Sequence, residues 1–276
     1  SKRIKILRHQ DKRIDLGRLL RRDRSLFEVY QADQGKPVFT CDQLLSFVKT
    51  EHGTLFAGAY DVQGCARGSH MRLNEVDAFC NSGQHLFPDK PDEGGYVYDL
   101  RHIDSFTDLE GRVVINWGGG TLAWHQIYRP GNDKEVAAIL PFGYVTAWPG
   151  YLDVLVDRLD LQQMARCPQA NRHWIDPLTA ISGIYLIQQR CTGDLYIGSA
   201  TGDRGVWGRW EAYAANGHGG NIKLKERIDK DPAYADDLCY SILHVLPRNM
   251  ALTEIMGYES LYKKKLGSRA FGLNSN

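Results

Sequence analysis

The chain has 276 residues, a net charge of +1, and ordinary apolar (43%) and charged (24%) fractions. This fits a globular protein of two domains and excludes a polycation or a low-complexity chain. Six cysteines lack C-x-x-C spacing and nine histidines lack an H-x-x-x-H pair, which argues against a disulfide scaffold, a zinc ribbon and a structural metal. No apolar run reaches membrane-spanning length, and the charged opening "SKRIKILRHQDKR" has no secretory pattern, so no membrane association and a cytoplasmic location are expected.

Residues 1–24 carry ten Lys/Arg against Asp11, Asp15 and Asp23, a local charge of +7. Two readings stay open for this arm, a solvated tail and an electrostatic footprint for phosphates. Apolar residues at helical spacing predict a basic amphipathic helix over 14–32, with Arg18, Arg21 and Arg22 as candidate DNA contacts. "TCDQLLSFVKTEHG" predicts a second helix, capped by Thr40 or Asp42 and stopped at Gly53. Strand-like segments follow: "TLFAGAYDVQG", "GYVYDLRHI", "GRVVINWGGG", "LAWHQIYRPGNDKEVAAILP" and "GYVTAW". Turn residues separate them, which predicts a strand-rich curved sheet or partial barrel fronted by helices. Tyr96, Tyr98, Trp117, Trp124 and Trp148 are read either as barrel core or as the walls of a pocket for a flipped base. His125 is read as structural.

Residues 152–166 predict a helix, and Pro168 and Pro177 mark a connector. The expected domain boundary lies there, giving an N-terminal domain over 1–175 and a C-terminal one over 176–276. The C-terminal third predicts the order β-β-α-α-β-α. A hairpin joins "GIYLIQQR" to "DLYIGSA", helices follow in "GVWGRWEAYAANG" and "NIKLKERIDKD", then a strand in "LCYSILHVL" and a helix in "ALTEIMGYESLYKKKLG". Arg209 and Tyr213, four apart on one helix, share a face. Lys223 and Lys225 add candidate DNA contacts on the next helix. Glu259 stands beside the apolar stripe of the last helix, where a carboxylate needs a partner, a bound cation being one.

Taken together, G-I-Y at 183–185, Y-I-G at 196–198, then G-R-W-x-x-Y, and finally a glutamate followed fifteen residues on by the asparagine of "GLN", resemble the GIY-YIG nuclease family over residues 182–276. The resemblance implies an α+β protein. Its C-terminal part is an α/β sandwich, a small mostly antiparallel sheet flanked by helices, beside a strand-rich mixed N-terminal domain. It implies Tyr185, Tyr196, Arg209, Tyr213, Glu259 and Asn274 as catalytic residues. Glu259 (with Glu254 a rival) would bind one Mg²⁺ or Mn²⁺ ion, Arg209 would hold the scissile phosphate, and Tyr185 would act as general base with Tyr196 and Tyr213 orienting it or the water. The "GHGGN" segment at 217–221 receives no catalytic role. The implied activity is hydrolysis of a DNA phosphodiester bond, with a homodimer as one route to cutting both strands. Three readings stay open. One is a restriction or defence endonuclease whose N-terminal domain selects the DNA. Another is a structure-specific repair, recombination or mobile-element nicking nuclease. The third is a nucleic-acid-binding protein with little cleavage activity.

Overall fold

The computed structural model describes residues 2–50, 53–80, 94–118 and 123–274. The protein is a mixed α+β fold in two compact units, Ser1–Pro141 and Phe142–Asn276. Among the described residues no helix is long and apolar enough to cross a membrane.

The first unit runs β1 (Ile4–His9), α1 (Leu16–Arg22), α2 (Arg24–Ala32), β2 (Asp33–Gln34), β3 (Gln43–Thr50), β4 (Gly53–Arg67), α3 (Leu73–Cys80), β5 (Tyr96–His102), β6 (Val113–Ile115), β7 (His125–Ile127) and β8 (Val136–Ile139). Its strands form one sheet in the order β2-β5-β4-β3-β1-β7, with β6 pairing to β4 and to β8. The expected strand-rich character holds, but three local expectations are overturned. The basic opening is no arm. β1 lies inside the sheet, parallel to β3 and antiparallel to β7, and buries Lys5 and Arg8 with the rest of the strand. The helix expected over 40–53 is not formed, since Gln43–Thr50 is a strand; residues 51–52 lie outside the described residues. Leu44, Ser46, Phe47 and Val48 are buried because β3 is flanked on both edges, by β1 and by β4. The proposed cap Asp42 instead accepts a hydrogen bond from the Arg3 backbone N at 2.6 Å, tying β1 to the start of β3. Residues 14–32 are two helices, broken where Asp23 leaves the helical conformation and caps α2 by accepting from Leu26 N at 3.0 Å.

The helices bury Leu16, Leu19, Phe27 and Val76, with Ile14 just before α1, against Val48 and Ala57 of the sheet. Each such side chain contributes roughly 1.5–3 kcal/mol on leaving water. Tyr98 and Trp117 are only 6% and 4% exposed, and Tyr96 and Trp124 pack against the cluster that holds Tyr98. Trp148, in the second unit, stands edge-on to Trp174 at 4.9 Å. The core reading thus holds for Tyr98; Tyr96, Trp124 and Trp148 are half-buried, and the buried Trp117 borders a cavity that Arg8, Thr54, Ile115 and Ala137 also line. The glycine run at 119–120 lies outside the described residues.

The second unit runs β9 (Leu155–Asp157), α4 (Arg158–Arg166), α5 (Arg172–Ala180), β10 (Ser182–Gln189), β11 (Leu195–Ala200), α6 (Gly205–Asn216), α7 (Ile222–Lys230), β12 (Leu238–Leu246), α8 (Leu252–Lys265) and α9 (Ser268–Phe271). The structure divides the units at 141/142, upstream of the expected 175/176. Val145, Val154, Val156, Leu161, Met164 and Trp174 belong to the same core as Tyr185, Trp210 and Tyr240. The expected helix over 152–166 starts only at Arg158, because Leu155–Asp157 pairs antiparallel with β12. Asp157 then ends the strand and, with Asp160, forms the capping box of α4. All pairings in this four-stranded sheet are antiparallel, in the order β11-β10-β12-β9. Side chains alternate across it. Tyr185, Ile187, Tyr196 and Ala200 join the cluster containing α6, while Ile184, Leu186 and Ile197 join the one containing α8.

Candidate active site

The β10–β11 hairpin sets the site by register. Ile187 pairs with Tyr196 and Tyr185 pairs with Gly198. Gly198 is there because Tyr185 lies across it. A Cβ at 198 would stand 2.4 Å from the Tyr185 hydroxyl oxygen. Opposite the hairpin, α6 buries Val206, Trp207, Trp210, Tyr213 and Ala214 at helical spacing. This brings three phenols together. Ring centroids are 6.1 Å apart for Tyr185–Tyr213, 6.3 Å for Tyr185–Tyr196 and 6.4 Å for Tyr196–Tyr213. The Tyr185 and Tyr213 hydroxyls share a hydrogen bond of 3.2 Å.

The three phenols are not equivalent. Tyr185 and Tyr213 are 0% exposed, whereas Tyr196 is half-buried. Burial pushes the Tyr185 phenol up, with Tyr196 adding to the rise and Arg209 opposing it. Burial likewise pushes Tyr213 well up. Desolvation disfavours the phenolate, which runs against proton abstraction by Tyr185 at neutral pH. Arg209, half-buried, sits one turn before Tyr213 with its guanidinium carbon 5.7 Å from that ring. Its guanidinium is intrinsically too basic to lose its charge, and the neighbouring Tyr185 pushes its pKa further up.

Sequence reasoning missed two supports of this cluster. The "GHGGN" loop closes over Tyr213. Gly219 has φ +54, and a Cβ there would lie 2.6 Å from the phenol ring. Asn216 Oδ1 accepts from the backbone N of His218 and of Gly219, at 3.0 and 2.7 Å. The glycine spacing was the visible signal; its purpose depends on the Tyr213 ring in the preceding helix. Tyr240 of β12 packs its ring 5.8 Å from both Trp210 and Tyr213. Its hydroxyl is buried and has no hydrogen-bond partner among the described residues. No local pattern marks it, because it belongs to a strand outside the hairpin.

Glu259 reaches the sheet from the α8 side. Its Oε2 accepts from Ser199 Oγ, and Ser199 alternates with Tyr196 and Gly198 on β11. Its Oε1 lies 2.6 Å from Lys263 Nζ, with the Glu259 side chain 21% exposed. The rival Glu254 is exposed in the first turn of α8. Asn274 is buried and bonds both backbone groups of Ile197, accepting from its N at 3.0 Å and donating to its O at 2.8 Å. It touches the strand that carries Tyr196, not the phenols. Lys223 donates to the Asn274 backbone O at 2.9 Å, and Lys225 is exposed. In the first unit, Arg18 stacks over Phe79 at 4.8 Å, Arg21 is exposed and Arg22 is half-buried. The structure thus joins Tyr185, Tyr196, Arg209 and Tyr213 in one cluster, brings Glu259 to Ser199 on the other face of β11, and sets Asn274 along the free edge of that strand.

Among the described residues no group of three or more His, Cys, Asp or Glu converges as a metal cage. Mg²⁺ keeps several waters and asks for only one or two carboxylates. Glu259 would offer such an ion one partly exposed carboxylate, whose oxygens are held here by Lys263 and Ser199.

No protein-family model matches the chain, and no curated protein does. Two solved structures are similar over about a third of it. One is the catalytic domain of the homing endonuclease I-TevI, with 29% identity over 34% of this chain and 96% of that one and a TM-score of 0.28. The other is a mutant of the catalytic domain of the intron endonuclease I-TevI, with 27% identity over 35% of this chain and 94% of that one and a TM-score of 0.29.

Proposed function

We propose that the chain is a divalent-metal-dependent DNA endonuclease of GIY-YIG type. In this reading residues 182–276 hydrolyse the phosphodiester bond and the preceding part selects the DNA, as a restriction or defence enzyme requires. The observation that carries the reading is the permanent Arg209 cation held beside three clustered phenols, in the chain order that resembles this family.

Arg209 binds the scissile phosphate through its planar fork and offsets charge that builds on the phosphate oxygens. Tyr196, the phenol that reaches solvent, orients the attacking water. Tyr185 and Tyr213 stay protonated. Their shared hydrogen bond braces the Arg209 face of α6; one phenol gives its proton to that bond, and the other keeps its own to donate toward an anionic oxygen. Phosphoryl transfer needs mainly this positioning and charge stabilisation. Glu259 would hold the Mg²⁺ or Mn²⁺ ion, whose charge stabilises the departing 3′ oxygen. Asn274 acts at a distance, by holding β11 and hence Tyr196 in place. One such cluster per chain cuts one strand, so a double-strand break takes a second copy or a second visit.

The test is a Mg²⁺ or Mn²⁺ cleavage assay of wild type and Glu259→Ala on unmodified plasmid, methylated plasmid and phage DNA with modified bases. Discrete or modification-dependent ends from wild type alone support the restriction reading. Cutting confined to flaps, forks or single strands turns it to a structure-specific nuclease. Undiminished cutting by Glu259→Ala overturns the metal assignment.

A further inference from the structure

Glu259 has a cation of its own. Lys263 follows it by one turn of α8, and its ammonium nitrogen stands 2.6 Å from Glu259 Oε1. The Lys263 side chain is 6% exposed, while its neighbours Lys264 and Lys265 are exposed. A lysine is rarely buried unless it is paired, and stripping an unpaired ammonium of water is costly. The second carboxylate oxygen is also engaged, by the Ser199 hydroxyl.

We infer that Lys263 is the built-in counter-cation of the Glu259 carboxylate and sets how tightly this site takes a divalent ion. The inference rests on the reading of Glu259 as the ion's ligand. A divalent ion at Glu259 meets a like charge within a few ångströms, and such repulsion is several times the thermal energy in the partly desolvated environment of a helix packed on a sheet. The ion must either bind weakly beside the ammonium or displace the lysine head from Oε1. With Lys263 in place the carboxylate is neutralised, so an approaching phosphate meets no net negative charge there. Lys263 is thus a positioning residue that tunes ion affinity, and it need not touch DNA.

The experiment is a Mn²⁺ titration of the full chain, followed by the electron paramagnetic resonance signal of free Mn²⁺, for wild type, Lys263→Met, Lys263→Arg, Glu259→Gln and the Glu259→Gln/Lys263→Met double variant. Lys263→Met is expected to bind Mn²⁺ about tenfold more tightly than wild type, the equivalent of ~1.4 kcal/mol. Lys263→Arg, which keeps the charge, is expected to stay near wild type. The gain should vanish in the double variant. Equal affinity in wild type and Lys263→Met, or a gain that persists without Glu259, overturns the inference. If circular dichroism shows Lys263→Met to be unfolded, Lys263→Gln removes the same charge and reads the same shift. Plasmid cleavage by wild type is scored separately. An affinity that responds as expected with uncut DNA removes the nuclease reading and keeps the role of Lys263. Cut DNA with an unmoved affinity does the reverse.

Discussion

Asn274 closes the free edge of β11 by acting as a strand residue toward Ile197. Its amide oxygen accepts from the Ile197 N at 3.0 Å and its amide nitrogen donates to the Ile197 O at 2.8 Å. Leu273 N adds a third bond, to Leu195 O at 2.8 Å. An unpaired strand edge would otherwise expose its backbone groups.

Asn274→Ala leaves both Ile197 groups without their partner. Stability should fall by about 2–3 kcal/mol in urea denaturation, and the Ile197 amide should exchange its hydrogen faster. Asn274→Asp should be little better, since a carboxylate oxygen then faces the Ile197 carbonyl. Unchanged exchange at Ile197 would remove the edge-closing role.

Gly198→Ala forces a methyl group into the Tyr185 phenol, 2.4 Å from its hydroxyl oxygen and 2.5 Å from the ring carbon Cζ. Because the ring is fully buried, the overpacked variant should lose roughly 1–3 kcal/mol. It should also lose cleavage, through displacement of the phenol cluster. Adding Tyr185→Phe removes the first clash but not the second, so recovery of stability should be partial. Complete recovery would mean that the ring lies elsewhere.

The stability of the first unit should depend on pH through His9. This imidazole is buried between the rings of Phe27 and Tyr30, with centroids 5.7 Å away in each case, and its Nε2 lies 3.1 Å from Gln31 Oε1. Burial pushes its pKa down from 6.5 to about 4, against the opposing Gln31 bond. The unfolded chain takes up the proton near pH 6.5 and the native state does not until about pH 4, so the unfolded state binds more protons across this window. Stability is therefore full above pH 6.5 and declines as the pH falls toward 4, by up to about 1.4 kcal/mol per pH unit and roughly 3 kcal/mol in all. Denaturation midpoints of wild type and His9→Gln between pH 7 and pH 4 check this. The variant should have the flatter profile, and parallel profiles would exclude His9 as the cause.

Deleting residues 1–24 is not a test of DNA binding, because it removes β1 from within its sheet. Arg21→Gln and Lys225→Gln alter exposed residues instead. In a Glu259→Gln background, where the DNA stays intact, each charge that contacts a phosphate should lower the slope of log affinity against log salt by about 0.9. A slope that stays constant for both variants would take these residues off the DNA path.

Much of the second unit was legible because its signals are local. The tyrosine–glycine pairs of the hairpin, the four-residue spacing of Arg209 and Tyr213, and the glycine that ends α6 are short-range patterns, and short-range patterns set backbone period and caps. Distant partners decided the rest. The apolar run of β3 suits a helix or a buried strand equally, and β1 and β4 on its two edges made it a strand. The charged text of β1 gave no sign that Lys5 and Arg8 would be buried. A pairing between Leu155–Asp157 and β12, some eighty residues apart, drew 142–175 into the second unit. Tertiary packing also decided how the site residues differ. The motif names three phenols alike, but the fold buries Tyr185 and Tyr213 fully, which pushes both phenols up, and leaves Tyr196 half-buried, because desolvation depends on the whole surrounding core. The sequence by itself determined which residues the hairpin, α6 and α8 carry. Only the folded sheet decided which faces they share, and that Glu259, one helical turn from Lys263, would also meet Ser199.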